Sequence, residues 1–380
     1  MNFTTKMLLI SAIVVLCICL TAGAVVWFVL QPSLSQVVPV PQSPTSTYQL
    51  DSVPVPVSWY QVYFTTPQYP DKPENRRGGL DDKLTAFINT AKVSVDMAIY
   101  QLDLPNVTQA MLDAKRRGVT VRVVTDSDIL ADPKENPAFK QLEQGGIPIV
   151  GGNANAIMHN KFVVVDKQTV WTGSWNFTTN DTYRYNNNAI LIQSPELARN
   201  YTATFEKMFI ERKFGGLRKA GGTTPKLTIA GVSVENYFAP EDKVADKIVA
   251  RLKSATKTID FMAYSFTDDA MGDVILARVK AGVAVRGVFE TTGSETRFSE
   301  YGKFKGAKLD VWQDGNPYLM HHKVFILDHQ TVIFGSFNFS ANANEDNDEN
   351  LLIIDDPSLA AQFQAEFGRV YDQAKNPPRK

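Results

Sequence analysis

Cysteine is nearly missing from this chain. Its two cysteines, Cys17 and Cys19, both fall in one N-terminal apolar stretch. The remainder therefore holds no disulfide framework and no cysteine-based zinc site. In that stretch they read as small apolar residues of a membrane helix, with palmitoylation as the alternative. A basic excess is also missing. The 39 Lys and Arg against 40 Asp and Glu leave a net charge of −1, which does not suit indiscriminate binding along a polyanion, although a local basic cleft is compatible with it. Charge of either sign is absent from residues 7–30.

Those 24 residues span about 36 Å as a helix, enough to cross a hydrocarbon core of about 30 Å with some tilt. Lys6 and the amino terminus precede them, and no charge follows until Asp51. The pattern predicts a single-pass signal anchor, with residues 1–6 as a short cytoplasmic tail and the bulk of the chain outside. The alternative is a signal peptide cleaved near Ala22-Gly23-Ala24, which leaves a secreted protein. Residues 31–57 are rich in Pro, Ser, Val and Thr and predict an extended linker.

Beyond the linker, strand and helix patterns alternate, which predicts an α/β fold with a mostly parallel mixed sheet flanked by helices. The pattern also repeats. Tyr100 and Tyr264, like Gly118 and Gly282, stand 164 positions apart, and His159 and His321 stand 162 apart. An offset that holds through strand, helix and motif implies a duplicated domain. The expected division is a first domain over residues 58–214, a Gly-rich linker over 215–233 and a second domain over 234–375.

Each copy carries one motif with the same spacing. The first is His159-x-Lys161, four residues, Asp166, six residues, Gly173-Ser174-x-Asn176; the second is His321-x-Lys323, Asp328, Gly335-Ser336-x-Asn338. Positions i and i+2 of a strand face one side, so each His projects with its Lys. A hairpin return brings the Gly-Ser-x-Asn loop back beside the His. Imidazole, ammonium and amide around one point suit a tetrahedral phosphate. Metal ligation fits poorly, because Lys is cationic and carboxylates at ligand spacing are scarce near the first His.

The two motifs resemble the HKD motif of the phospholipase D superfamily, and the resemblance covers most of the chain beyond the N-terminal stretch. Each half is also similar in size and order to the superfamily's short, dimeric bacterial endonucleases. What the resemblance implies is two tandem phospholipase D-like domains related by a pseudo-two-fold axis, sharing one active site, so that a monomer suffices. It implies a covalent phosphohistidine, with His159 as nucleophile and His321 as general acid and base. It gives Lys161, Lys323, Asn176 and Asn338 the charge on the phosphate oxygens, needs no metal or other cofactor, and leaves Asp166, Asp328, Gly173 and Gly335 structural roles. Ser174, Ser336 and Asn187 are supporting or phosphate-binding candidates. An acidic residue eleven positions past the motif Asn commonly orients the His in this family. Here that position is Glu349 in the second copy and Asn187 in the first. The spacing predicts that Glu349 pairs with His321 as resting acid, leaving His159 neutral.

The shared chemistry does not select the phosphodiester. A membrane anchor and a neutral charge favour phospholipid hydrolysis at a membrane surface. The stretch Asn344-Glu345-Asp346-Asn347-Asp348-Glu349-Asn350 adds four carboxylates beside the second motif, expected to repel a polyanion. Lys72, Lys115, Arg116 and Arg117 offer basic patches for the alternative, an exported or tethered endonuclease acting on nucleic acid. Cardiolipin synthase-like phosphatidyl transfer and a non-catalytic phospholipid or nucleic-acid binding module are the further alternatives. The N-x-S/T triplets, two of which begin at motif asparagines, carry no functional weight.

Overall fold

The computed structural model describes residues 58–378. The expected tail, anchor and first linker lie outside them. Among the described residues no helix is long and apolar enough to cross a membrane.

The first half forms β1 (Tyr60–Phe64), β2 (Ser94–Ile99), β3 (Thr120–Asp126), β4 (Ile149–Gly152), β5 (Lys161–Val165), β6 (Thr169–Gly173), β7 (Tyr185–Asn186) and β8 (Asn188–Gln193). The second forms β9 (Lys226–Ile229), β10 (Val232–Ala239), β11 (Thr258–Ala263), β12 (Ala284–Phe289), β13 (Asp310–Gln313), β14 (Leu319–Met320), β15 (Lys323–Leu327), β16 (Thr331–Gly335) and β17 (Glu349–Asp355). The sheet orders are β1-β8-β6-β5-β2-β3-β4 and β13-β12-β11-β15-β16-β17-β10-β9. Apart from β9, the second order reproduces the first strand for strand, as a duplication requires.

The sheets are mixed, but the expectation of mostly parallel pairing is corrected. Only β2/β3 and β3/β4 are parallel in the first sheet. Its other pairs are antiparallel, and the second sheet follows suit. The cause lies in the motif. Asp166 and Lys167 (φ 54° and 55°) and their mates Asp328 and His329 (52° and 55°) make two-residue turns with both central residues left-handed. This is the turn whose twist suits a hairpin, and it ties β5 to β6 and β15 to β16 antiparallel. Asp tolerates that backbone region better than most residues. The second linker is corrected too. The Gly- and Pro-rich stretch ends at Pro225, and β9 and the start of β10 occupy residues that composition assigned to it.

Each half has its own apolar cluster under its outer helices, but the largest cluster is shared. Phe162, Tyr201 and Phe205 from the first half meet Phe238, Phe334 and Phe363 from the second. Tyr201 bridges them, with ring centroids 4.9 Å from Phe162 and 5.2 Å from Phe238. At roughly 1.5–3 kcal/mol for each buried side chain of this size, the join holds the halves as one body. The described residues accordingly form one compact unit.

Candidate active site

The two motif histidines sit where the halves cross over. β7 of the first half pairs with β14 of the second, and the Met158–Asp348 bridge is its pseudo-symmetric mate. The His159 N–H donates to the Asp348 carbonyl (3.0 Å), and the His321 N–H donates to the Asn186 carbonyl (2.9 Å). A clasp reinforces each crossing. Asn316 donates to the Arg184 carbonyl, Asn186 Oδ1 and the Leu319 carbonyl; Asn153 donates to the Asp346 carbonyl, Asp348 Oδ2 and the Ile157 carbonyl.

This crossing corrects the predicted pairing. Glu349 does not face the histidine of its own half. Its oxygens lie 2.8 and 2.9 Å from His159 Nδ1. Asn187 in turn places Oδ1 3.0 Å from His321 Nδ1. Spacing puts a residue near the site, but the pseudo-two-fold axis decides which imidazole it meets. Asp181 adds a carboxylate that the sequence reading missed, with Oδ1 3.2 Å from His321 Nδ1.

The lysines lie where strand parity predicts. Each Nζ donates to the carbonyl of its own motif histidine at 2.8 Å. Lys161 lies over the Tyr100 ring (5.5 Å) and Lys323 over the Tyr264 ring (4.7 Å). The same two rings stand edge-on to His159 and His321. Asn176 and Asn338 carry buried side-chain oxygens with no hydrogen-bond partner among the described residues, acceptors that a ligand's hydroxyl or N–H would satisfy.

Ser174 and Ser336 support the partners of the histidines. Ser174 Oγ donates to Asn187 Oδ1 (2.8 Å) and Ser336 Oγ to Glu349 Oε2 (2.6 Å). Both serines are fully buried, so they are placed as supports rather than as phosphate ligands. Gly173 and Gly335 let β8 and β17 pass closely, since a Cβ at either would lie 2.3 Å from a carbonyl oxygen. Asp166 and Asp328 lie outside the site. Each carboxylate accepts three successive backbone N–H groups, from Lys92, Val93 and Ser94 and from Thr256, Lys257 and Thr258. Of the four expected surface carboxylates, only Glu345 and Asp346 are exposed. Asp348 is buried and ion-paired with Arg218 at 3.0 Å, and Glu349 is the buried partner of His159. The basic candidates Lys72, Lys115, Arg116 and Arg117 are exposed; Arg116 is paired with Asp113.

Burial dominates the electrostatics. It pushes both imidazoles below the ordinary histidine range, while Glu349 pulls His159 and Asp181 pulls His321 back toward the charged form. Lys323 adds to burial at His321, which falls to about 3. This replaces the expectation that His321 rests protonated. Burial brings the Lys161 ammonium down to about 8, and burial together with Lys161 carries Lys323 well below the usual lysine range. Burial opposes ionisation of Asp181, but hydrogen bonds from His321 and Thr178 outweigh it, and its carboxyl lies below the usual range. Neutral imidazoles that donate through Nδ1 leave Nε2 as a bare lone pair. Two such nitrogens beside two buried lysine amines make an arrangement that could attack an anionic ester. Among the described residues no three His, Cys, Asp or Glu side chains cluster as metal ligands.

The family described as "Cardiolipin synthase, PLD-like domain" matches residues 84–209 and again 248–371. The two matches cover more than half of the chain, which belongs to the phospholipase D superfamily. A mitochondrial cardiolipin hydrolase of Chlamydomonas reinhardtii is 37% identical over 124 residues, which are 33% of this chain and 56% of that protein. A phospholipase D of Rickettsia prowazekii is 32% identical over 131 residues, 34% of this chain and 64% of that one. The chain thus spans less than two thirds of each. The phosphatidylserine synthase structure of Haemophilus influenzae, at 14% identity, covers 82% of this chain and 86% of its own with a TM-score of 0.63, a likeness of fold.

Proposed function

We propose that the chain is a phosphodiesterase of phospholipase D type, acting on phospholipid through a covalent phosphohistidine on His159. The observation that carries this reading is the buried Glu349 carboxylate held across both oxygens on His159 Nδ1. An imidazole that donates Nδ1–H to a carboxylate keeps Nε2 as nucleophile, and the same carboxylate stabilises the cationic phosphorylimidazole that forms. His159 thus keeps the role that the resemblance implied, for the opposite reason. The carboxylate belongs to the nucleophile.

In the first step His159 Nε2 bonds to phosphorus and the P–O bond to the leaving alcohol breaks. His321 supplies the proton that the alkoxide takes. In the second step His321 Nε2 takes a proton from water, the water oxygen bonds to phosphorus, and the P–N bond breaks. Lys161, Lys323, Asn176 and Asn338 hold the nonbridging oxygens. An anionic phosphodiester raises the proton affinity of His321 and of both lysines, so substrate binding itself brings in the proton that the first step spends.

The names of the relatives favour a lipid substrate, and so do Glu345 and Asp346 beside the crossing. Residues 7–30, as a membrane anchor with the catalytic halves outside, would hold the site at a lipid surface. The test is the full-length chain in EDTA, with His159→Asn as control, against vesicles containing cardiolipin, phosphatidylglycerol and phosphatidylcholine and, in parallel, single- and double-stranded DNA. Release of phosphatidic acid with DNA intact is the expected result. DNA cleavage with the lipids intact overturns the lipid reading in favour of an endonuclease.

A further inference from the structure

The two motif loops carry their acid at different positions. Five residues past the motif asparagine the first copy has Asp181 and the second Ala343; eleven past it the first has Asn187 and the second Glu349. We propose that Asp181 is the relocated carboxylate of the first copy, a positioning residue that with Asn187 does for His321 what Glu349 alone does for His159. The proposal rests on the reading of His321 as the proton-transfer group.

The contacts divide between the two oxygens. Asp181 Oδ2 accepts from the Thr178 hydroxyl (2.9 Å). Oδ1 faces the site, 3.2 Å from His321 Nδ1, and also accepts from Asn187 Nδ2 (3.1 Å) and the Asn176 N–H (3.3 Å). These bonds fix the amide of Asn187 as well. With Nδ2 given to Asp181, its Oδ1 is left to His321 and Ser174. Asp181 is 3% exposed.

The simpler role is helix capping. Thr178 caps the short helix Thr179–Tyr183 and accepts from the Asp181 N–H, with Asp181 in the first turn. The second copy weighs against capping as the whole reason. Ser340 caps the equivalent helix Ala341–Glu345 in the same way, accepting from the Ala343 N–H, with no acid at that position. The helix therefore forms without a carboxylate there, and capping makes no demand for a buried one.

The groups facing His321 are Lys323 at the start of β15, Tyr264 edge-on just past the end of β11, and Asp181, Asn187 and Lys161 from the first half. Lysine charge disfavours imidazolium and Asp181 favours it. Its removal lowers the proton affinity of His321, so the limb of the pH profile that His321 sets moves to lower pH.

The experiment uses the full-length chain in detergent with bis(4-nitrophenyl) phosphate, comparing wild type, Asp181→Asn, Asp181→Ala, the double variant Asp181→Ala/Asn187→Glu and His321→Asn. Asp181→Asn is expected to lower kcat about 100-fold while kcat/KM, set by a phosphorylation step that needs no proton with this leaving group, stays near wild type so that KM falls with kcat, and to move the His321 limb of the kcat profile down by about one pH unit or more. The double variant, which imports the arrangement of the second copy, recovers kcat to within about tenfold of wild type and restores the limb, as an equivalent carboxylate should. A limb unmoved in Asp181→Asn, or a double variant no better than Asp181→Ala, overturns the proposal, whatever thermal unfolding says of the cap. Wild-type turnover in His321→Asn overturns instead the reading of His321 on which the proposal rests.

Discussion

The two halves of this molecule have the same strands in the same order, yet they equip their histidines differently. His159 has one carboxylate, fully buried and bound through both oxygens, from the opposite half. His321 has an amide and a carboxylate that share one nitrogen, both from the opposite half. A homodimer of one such domain must use the same partner twice. Fusion into one chain removes that constraint, and each imidazole can then be tuned to a different step. The comparison also shows why each half depends on the other. The main-chain bonds of both histidines and their side-chain partners come from across the pseudo-two-fold axis.

The largest expected break in this comparison comes from the histidines themselves. His159→Asn and His321→Asn each lower steady-state turnover by about 10⁴-fold, but with a 4-nitrophenolate leaving group, which needs no proton, the two diverge. Stopped-flow absorbance shows a burst of one equivalent for His321→Asn and none for His159→Asn. The partners come next. Glu349→Gln costs about 10²–10³-fold in kcat because it removes the charge that stabilises phosphohistidine, whereas Asn187→Ala costs about tenfold because Asp181 remains. Steady-state kinetics on both variants checks the order, and equal losses would contradict the asymmetry.

A smaller effect concerns the lysines, which the halves share. Lys161 is brought down to about 8 by burial; if its charged form holds the phosphate as proposed, kcat/KM falls as pH rises through about 8. Binding of inorganic vanadate at pH 8 draws in protons, visible in calorimetry as a heat that depends on the buffer. The smallest effect should be symmetric. Asp166→Ala and Asp328→Ala each remove the acceptor of three backbone N–H groups and cost about 2 kcal/mol of stability, while activity per folded molecule stays close to wild type. These carboxyls lie below the usual range because the backbone hydrogen bonds outweigh burial. Their contribution is therefore present above an unfolded pKa of about 4 and lost as pH falls through the folded value. Chemical denaturation at pH 7 and pH 3 checks both.

Much of this was legible in the residues. The alternation of strand and helix was visible because apolar patterning is local. The repeat and both motifs were visible because their spacing recurs. What was not legible depends on the third dimension. Alternation of strand and helix suggested mostly parallel pairing, but the motif hairpins add antiparallel pairs to each sheet. The partner of Glu349 could not be read, because distance along the chain does not say which side of a pseudo-two-fold axis a loop serves. Asp181 was within reach. Set against Ala343 in the second copy, it shows an acid gained in the one half that lacks Glu at the later position.

The account stands most directly on which histidine carries the phosphoryl group. The decisive measurement is peptide mapping by mass spectrometry after an alkaline quench of the His321→Asn protein mixed with bis(4-nitrophenyl) phosphate. The account predicts a nitrophenyl phosphoryl adduct on the peptide that contains His159, and no adduct in the His159→Asn protein. An adduct on the peptide containing His321 in the His159→Asn protein, with none on His159 in the first, would contradict it.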